Sequence, residues 1–209
     1  MQIDIFHDTV CPWCRIGKRH LELALEQYPV PDVSIRYRTF FLNDNMPPEG
    51  YDFIPYMQAK LGQPDIEPLF AAPREMGERV GLTFNFDAIT RALNSTLSHQ
   101  LIAITPDEQK KAIVDALYAA YFEHGQDISQ MDVLQDIAAA NGFDRDHIKT
   151  QLLDGAGLDV LREDMAWAVQ NGVRGVPFFV LAGKYAFSGA QPPDVITQVI
   201  QQVQTETLT

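Results

Sequence analysis

Cysteine is nearly absent from this chain: there are two among 209 residues, Cys11 and Cys14, two positions apart. A pair that close excludes a disulfide framework as the source of stability, because cross-linking so short a loop removes little entropy from the unfolded chain. Long apolar runs are also missing, and none reaches the ~20 residues that a membrane helix needs. Positive charge is scarce. Sixteen Lys and Arg against 28 Asp and Glu leave a net charge of −12. Such a surface repels phosphate backbones and anionic membranes, so neither nucleic acid nor membrane is expected as a partner. The opening residues Met1-Gln2-Ile3-Asp4-Ile5-Phe6 have no basic stretch leading into a long apolar one and do not read as a secretory signal. A cytoplasmic protein is the expectation. Structural disulfides are rare in that compartment, which again favours a chemical role for the two cysteines.

What is present is enough apolar material, 46% of the chain, for one core or one core with a large insertion. The opening reads as strand, turn and helix. Ile3, Ile5 and Phe6 supply a short strand, His7-Asp8-Thr9 breaks it, and a helix starts at about Cys11 with Pro12 in its first turn, where the missing N–H costs nothing. The helix runs through Leu21, Ala24 and Leu25 to Tyr28-Pro29, and residues 34–40 form a second strand. This is a βαβ unit with a right-handed crossover. Pro47-Pro48-Glu49-Gly50 is a turn or linker. After it the pattern is almost all helix, with helices expected over 91–101, 106–122 (Thr105 as N-cap), 131–140, 146–153 and 158–170. Strand character returns at 177–181, Gly183-Lys184 suits a hairpin turn into Tyr185-Ala186-Phe187, and Pro192-Pro193 opens a final helix. The order is β-α-β, helical insert, β-β-α. The expected division is a discontinuous domain of residues 1–43 and 167–209 around an insert of 44–166.

A Cys-x-x-Cys at a helix start has a direct chemical reading. Unpaired backbone N–H groups and the helix dipole favour negative charge at Cys11, hence the thiolate that attacks disulfides. Cys14 lies one turn on, within reach to resolve a mixed disulfide. Trp13 offers an apolar surface beside the sulfurs, and Arg15, Lys18 and Arg19 add positive charge along the helix. Half a zinc site is the competing reading, but tetrahedral zinc takes four ligands. No second Cys pair exists, and His7, His20, His99, His124 and His147 have no clustered ligand spacing. No metal is expected. Two unreactive core cysteines are the other alternative. The direction of electron flow is not encoded at this level, since potentials of such centres span ~150 mV, about 7 kcal/mol of local environment. A second feature is Gly175-Val176-Pro177-Phe178-Phe179. A proline leading a buried strand is either a structural trans residue at an edge or a cis residue that sets the Val176 backbone beside the cysteines for an extended substrate.

Two segments, Phe6-His7-Asp8-Thr9-Val10-Cys11-Pro12-Trp13-Cys14-Arg15-Ile16-Gly17 and Gly172-Val173-Arg174-Gly175-Val176-Pro177-Phe178-Phe179-Val180, together resemble the DsbA family of thioredoxin-fold proteins, with the FrnE-like subgroup nearest. Asn94-Ser95-Thr96-Leu97-Ser98-His99-Gln100-Leu101 is similar to a stretch of that subgroup's insert, which is the reason to keep His99 in view. The resemblance implies an α/β thioredoxin fold with a large all-helical insertion and protein disulfide oxidoreductase activity. It implies Cys11 as nucleophile and Cys14 as resolving thiol, with Pro177 cis and with Pro12, Trp13, Val176 and Pro177 meeting the substrate. No cofactor is implied beyond a redox-active Cys11–Cys14 disulfide, with glutathione as a conceivable co-substrate. The implied partners are disulfide-containing proteins or peptides, or small thiols. The Pro12-Trp13 dipeptide, where periplasmic oxidants of the family usually carry histidine, argues against a strong oxidant. Related kappa-class glutathione transferases and hydroxychromene carboxylate isomerases typically have serine where Cys11 stands. A glutathione-dependent transferase or isomerase and a non-catalytic peptide-binding module remain as alternatives.

Overall fold

Alternation along the first strand decides the architecture. In β1 (Gln2–His7), Ile3 and Ile5 join one apolar cluster and Phe6 another, on opposite faces of the sheet. The structure, a computed structural model, describes residues 1–207. The chain forms two compact units: residues 1–42 with the segment from Asp164 onward, and residues 43–163.

The first unit carries a four-stranded sheet of order β2-β1-β5-β6, with β2 (Ser34–Thr39), β5 (Phe178–Leu181) and β6 (Tyr185–Ser188). β1 and β2 are parallel, with Ile3 opposite Ile35 and Ile5 opposite Tyr37. β5 runs antiparallel to β1, with Ile5 opposite Phe179, and β6 antiparallel to β5. This is the thioredoxin fold. α1 (Pro12–Gln27), with its C-cap Tyr28, presents Leu21, Ala24, Leu25 and Tyr28, an i, i+3, i+4, i+7 stripe, to the cluster of Ile3, Ile5, Phe179 and Leu181. α9 (Pro193–Thr207) adds Ile196, Ile200 and Val203 to the same cluster. Each fully buried Ile, Leu or Val there contributes about 1.5–3 kcal/mol. On the opposite face, the part of α8 (Leu158–Gln170) that belongs to this unit packs Trp167 and Ala168 on Phe6 and Val180. The unit begins again at Asp164 for a visible reason. The Asp164 carboxylate accepts hydrogen bonds from Arg38 Nε and from Thr39 N–H at 2.8 Å, and the Phe41 N–H lies 3.3 Å from Met165 Sδ.

The second unit holds β3 (Tyr51–Asp52), α2 (Phe53–Leu61), α3 (Glu67–Arg79), β4 (Arg91–Ala92), α4 (Thr96–Ile104), α5 (Asp107–Phe122), α6 (Met131–Ala140) and α7 (Arg145–Leu153). Its core is built on stacked rings: Phe53 on Phe70, Phe70 on Phe86 at 4.5 Å between centroids, and Phe84 on Phe86.

Three local expectations are corrected. The stretch 91–101 is not one helix. Arg91 and Ala92 pair as a strand with Asp52 and Tyr51, and the Asn94 carboxamide accepts the Thr96 N–H at 2.9 Å, so helix begins only at Thr96. Thr105 does not cap α5: its hydroxyl donates back to Leu101 O at 2.7 Å, and Pro106 occupies the N-cap. The hairpin loop has three residues rather than two, Ala182, Gly183 and Lys184 between the paired Leu181 and Tyr185. Its turn centres on Ala182 and Gly183, φ 52° and 67°, closed by the Lys184 N–H on Leu181 O at 3.1 Å.

Candidate active site

Cys11 is the N-cap of α1. Its backbone is extended (φ −98°, ψ 112°), Pro12 follows in the first turn, and no acidic residue occupies that turn to offset the helix dipole. The sulfur takes the capping position usually filled by an oxygen, accepting the Cys14 N–H at 3.3 Å. Cys11 Sγ also lies 3.8 Å from the carbonyl oxygen of Val176, and the Val176–Pro177 peptide bond is cis. Among the described residues Val176 N–H makes no hydrogen bond. Trp13 is 38% exposed, a large share for so big an apolar ring.

Both thiols are buried, Cys11 with 3% of its surface exposed and Cys14 with none, and they differ in their partners. Cys14 is fully buried. Burial first, and then the neighbouring Cys11, push its thiol well above the ordinary cysteine range, so it stays protonated at neutral pH; a backbone hydrogen bond from Asp8 acts the other way. Of the three cations along α1, Lys18 pairs with Glu22 at 2.6 Å, Arg19 with Glu26 at 2.9 Å, and Arg15 is buried. His7 is buried with its ring edge-on to Tyr37. His99 lies buried in α4 of the second unit. That unit has a cavity of about 510 Å³ lined by Phe53, Phe70, Phe86, Asp65 and Asp87 among others, and it contains none of the residues singled out in the sequence. Among the described residues no group of three or more His, Cys, Asp or Glu could hold a metal ion, and no helix is long and apolar enough to cross a membrane.

Two residues at this site escaped the sequence reading. Asp8, read there only as a strand breaker, is 1% exposed and organises the turn before α1. Its carbonyl accepts the Cys11 N–H at 3.1 Å, and its carboxylate accepts the Val10 N–H at 3.4 Å and the Leu42 N–H at 2.8 Å. An Asp placed to bond the backbone two residues on is a turn signal that was available. Gly17 is the other. A Cβ there would stand 2.9 Å from Pro177 Cγ and 3.2 Å from Phe179 Cζ. The helix therefore approaches the proline loop only because this position lacks a side chain.

The sequence profile of the DSBA-like thioredoxin domain matches residues 2–201. This chain belongs to that family. The chain is similar to the probable DsbA oxidoreductase SCO1869 of Streptomyces coelicolor, whose crystal structure superposes with a TM-score of 0.88 at 30% identity over 99% of this chain and 91% of that one. The cytosolic disulfide reductase DsbM of Pseudomonas aeruginosa, determined with GSH, shares the fold at a TM-score of 0.69 and 18% identity, covering 98% of this chain and 100% of that one. In sequence, the uncharacterized protein YwbO of Bacillus subtilis (strain 168) is 24% identical over 206 residues, 98% of each chain.

Gly17 gives this DSBA-like domain a sharp test, because two effects of Gly17→Ala oppose each other. Helix propensity favours alanine by about 1 kcal/mol. Overpacking against the rigid rings of Pro177 and Phe179 costs about 1–3 kcal/mol. The clash wins, so urea unfolding is expected to show a net loss of about 1 kcal/mol, where an open helical site would show a gain.

Proposed function

We propose that the protein is a dithiol–disulfide oxidoreductase that exchanges Cys11 and Cys14 with disulfides of proteins, peptides or small thiols. The observation that carries this reading is the cap of α1, where Cys11 Sγ accepts the Cys14 N–H and stands against the Val176 carbonyl. In the reducing direction the Cys11 thiolate attacks a substrate disulfide, forming a Cys11–substrate disulfide and releasing one substrate thiolate, which takes a proton. Cys14 then loses its proton and attacks Cys11 Sγ, releasing the second substrate thiolate. Two electrons pass from the cysteine pair to the substrate, whose two thiolates take one proton from Cys14 and one from solvent, and the Cys11–Cys14 disulfide remains; the reverse sequence oxidises a dithiol. Trp13 and Pro12 form an apolar wall beside the sulfur, and the Val176 backbone beside Pro177 pairs with an extended substrate. No cofactor takes part beyond the cysteine pair. The protein works in the cytoplasm with glutathione as co-substrate, a reading supported by the cytosolic DsbM and the GSH in its structure.

The test is covalent trapping. Wild type is expected to catalyse insulin reduction in the presence of a thiol reductant. Cys14→Ser is expected to accumulate a mixed disulfide through Cys11, read as a mass increase that dithiothreitol reverses. A wild type that reduces insulin no faster than the reductant alone would overturn the reading. A glutathione-dependent turnover that persists in Cys14→Ser would favour the transferase or isomerase alternative.

A further inference from the structure

The segment between α8 and β5 is anchored at both ends. At its start Val173 N–H bonds back to Ala168 O at 2.9 Å and Gly172 N–H to Val169 O at 3.2 Å, closing α8, and Val173 is buried against Phe6, Ala168 and Val180. At its end Pro177 is buried against α1 at Gly17. Only Arg174, Gly175 and Val176 lie between, and Arg174 is exposed. The other cations of this unit are committed: Lys18, Arg19, Arg36, Arg38 and Lys184 each hold a carboxylate, and Arg15 is buried. Arg174 alone of them is exposed with no carboxylate partner among the described residues. It stands two residues from Val176, whose carbonyl is 3.8 Å from Cys11 Sγ. Two peptide units span at most about 7.6 Å between Cα atoms, and an arginine side chain reaches further still. An arginine side chain at this position is therefore long enough to span the distance to a negative group a residue or two from a disulfide docked on Cys11. The chain's net charge of −12 repels such a substrate at long range, so a local cation decides whether it is accepted.

We infer that Arg174 determines specificity, recognising a carboxylate on the substrate close to the disulfide under attack. The inference rests on the oxidoreductase reading above. The carboxylate belongs to an acidic residue flanking a peptide cystine or to glutathione disulfide, and guanidinium pairs with either through the same charge-assisted hydrogen bonds.

The experiment compares kcat/KM for cystine peptides that differ only in carrying Glu or Lys beside the cysteines, together with glutathione disulfide. Wild type is expected to prefer the Glu peptide, and the Glu/Lys ratio is expected to fall about three- to tenfold in Arg174→Gln. Arg174→Lys is expected to recover part of the preference, since it keeps the charge but loses the fork. In wild type the preference is expected to shrink as ionic strength rises toward 1 M. A loss confined to glutathione disulfide assigns the site to the small thiol, and a loss confined to the Glu peptide assigns it to peptides. An unchanged Glu/Lys ratio in Arg174→Gln together with unchanged glutathione disulfide turnover, or an equal loss on all three substrates, would overturn the inference. Failure of the underlying reading looks different: turnover of the Lys peptide would then survive Cys11→Ser.

Discussion

Cys11→Ser is expected to lower the rate of disulfide exchange by at least ~10³-fold, equivalent to about 4 kcal/mol of activation free energy. The asymmetry between the two sulfurs makes the loss so large. Cys11 caps α1 at the positive end of the helix dipole, with no acidic side chain in the first turn to oppose it. A serine there can occupy the cap but cannot form a disulfide. Cys14 cannot substitute. It has no exposed surface, against 3% for Cys11, it lies a turn inside the helix rather than at the cap, and burial keeps its thiol protonated at neutral pH, whereas exchange needs a thiolate at the surface of the site. Cys14→Ser should therefore retain the first attack and lose only resolution. The measurement is insulin reduction by wild type and both variants, with iodoacetamide labelling of the reduced proteins at pH 7. One label per folded wild-type molecule, none on folded Cys11→Ser and one on Cys14→Ser is the expected pattern. Rapid labelling of Cys14 in folded Cys11→Ser would show that the burial argument is wrong.

Features set by short-range patterning are legible in the sequence. The alternation of Ile3 and Ile5 with polar neighbours, the proline after Cys11 and the 3–4 spacing of Leu21, Ala24, Leu25 and Tyr28 each depend on neighbours a few residues away, and they yield β1, the turn and α1. The same holds for Cys11 and Cys14 as a chemical pair, since their meaning lies in their spacing. Residues whose role depends on a distant partner are not legible. Asp8 interrupts a strand pattern, and only the fold shows that its carboxylate waits for the Leu42 N–H, 34 residues on. Gly17 reads as a weak point in a helix until Pro177, from the other end of the chain, comes to rest against it. Arg91 and Ala92 fit a helical pattern locally and become a strand because Tyr51 and Asp52 offer a partner. Long-range pairing overrode local propensity in each of these cases.

Asp164 is the extreme instance, and Asp164→Ala is expected to destabilise the protein by about 3–5 kcal/mol, the cost of removing one partner from a buried ion pair. The carboxylate is 3% exposed and serves two donors on β2, Arg38 Nε and the buried Thr39 N–H. Arg38 lies over the stacked rings of Phe6 and Trp167, 5.0 and 5.8 Å from their centroids, and its next nearest carboxylate is Asp4, at 3.5 Å. Asp4 is already gripped by Arg36 through Nε at 2.7 Å and Nη2 at 2.6 Å. Without Asp164, Arg38 therefore keeps its desolvation cost and loses its main partner, while the Thr39 N–H loses its acceptor, worth about 1–3 kcal/mol within that total. Asp164→Asn separates the two effects. Its carboxamide oxygen can still accept from Thr39, so its loss should be the smaller, about 2 kcal/mol, which is the charge-dependent share. Replacing both ions together, Arg38→Met with Asp164→Leu, should recover much of the stability lost in Asp164→Ala, since paired charges removed jointly leave nothing uncompensated. Urea midpoints at constant m-value measure all three. A loss below about 1 kcal/mol in Asp164→Ala would mean that solvent reaches Arg38 and that the network holds little of the fold. The consequence extends to the active site. Asp164 fastens α8 to β2, and α8 delivers the chain, through Val173, to Arg174 and Val176 beside Cys11. Exchange activity in Asp164→Ala should therefore fall at temperatures well below the global unfolding transition, as the loop that faces the sulfur loses its anchor.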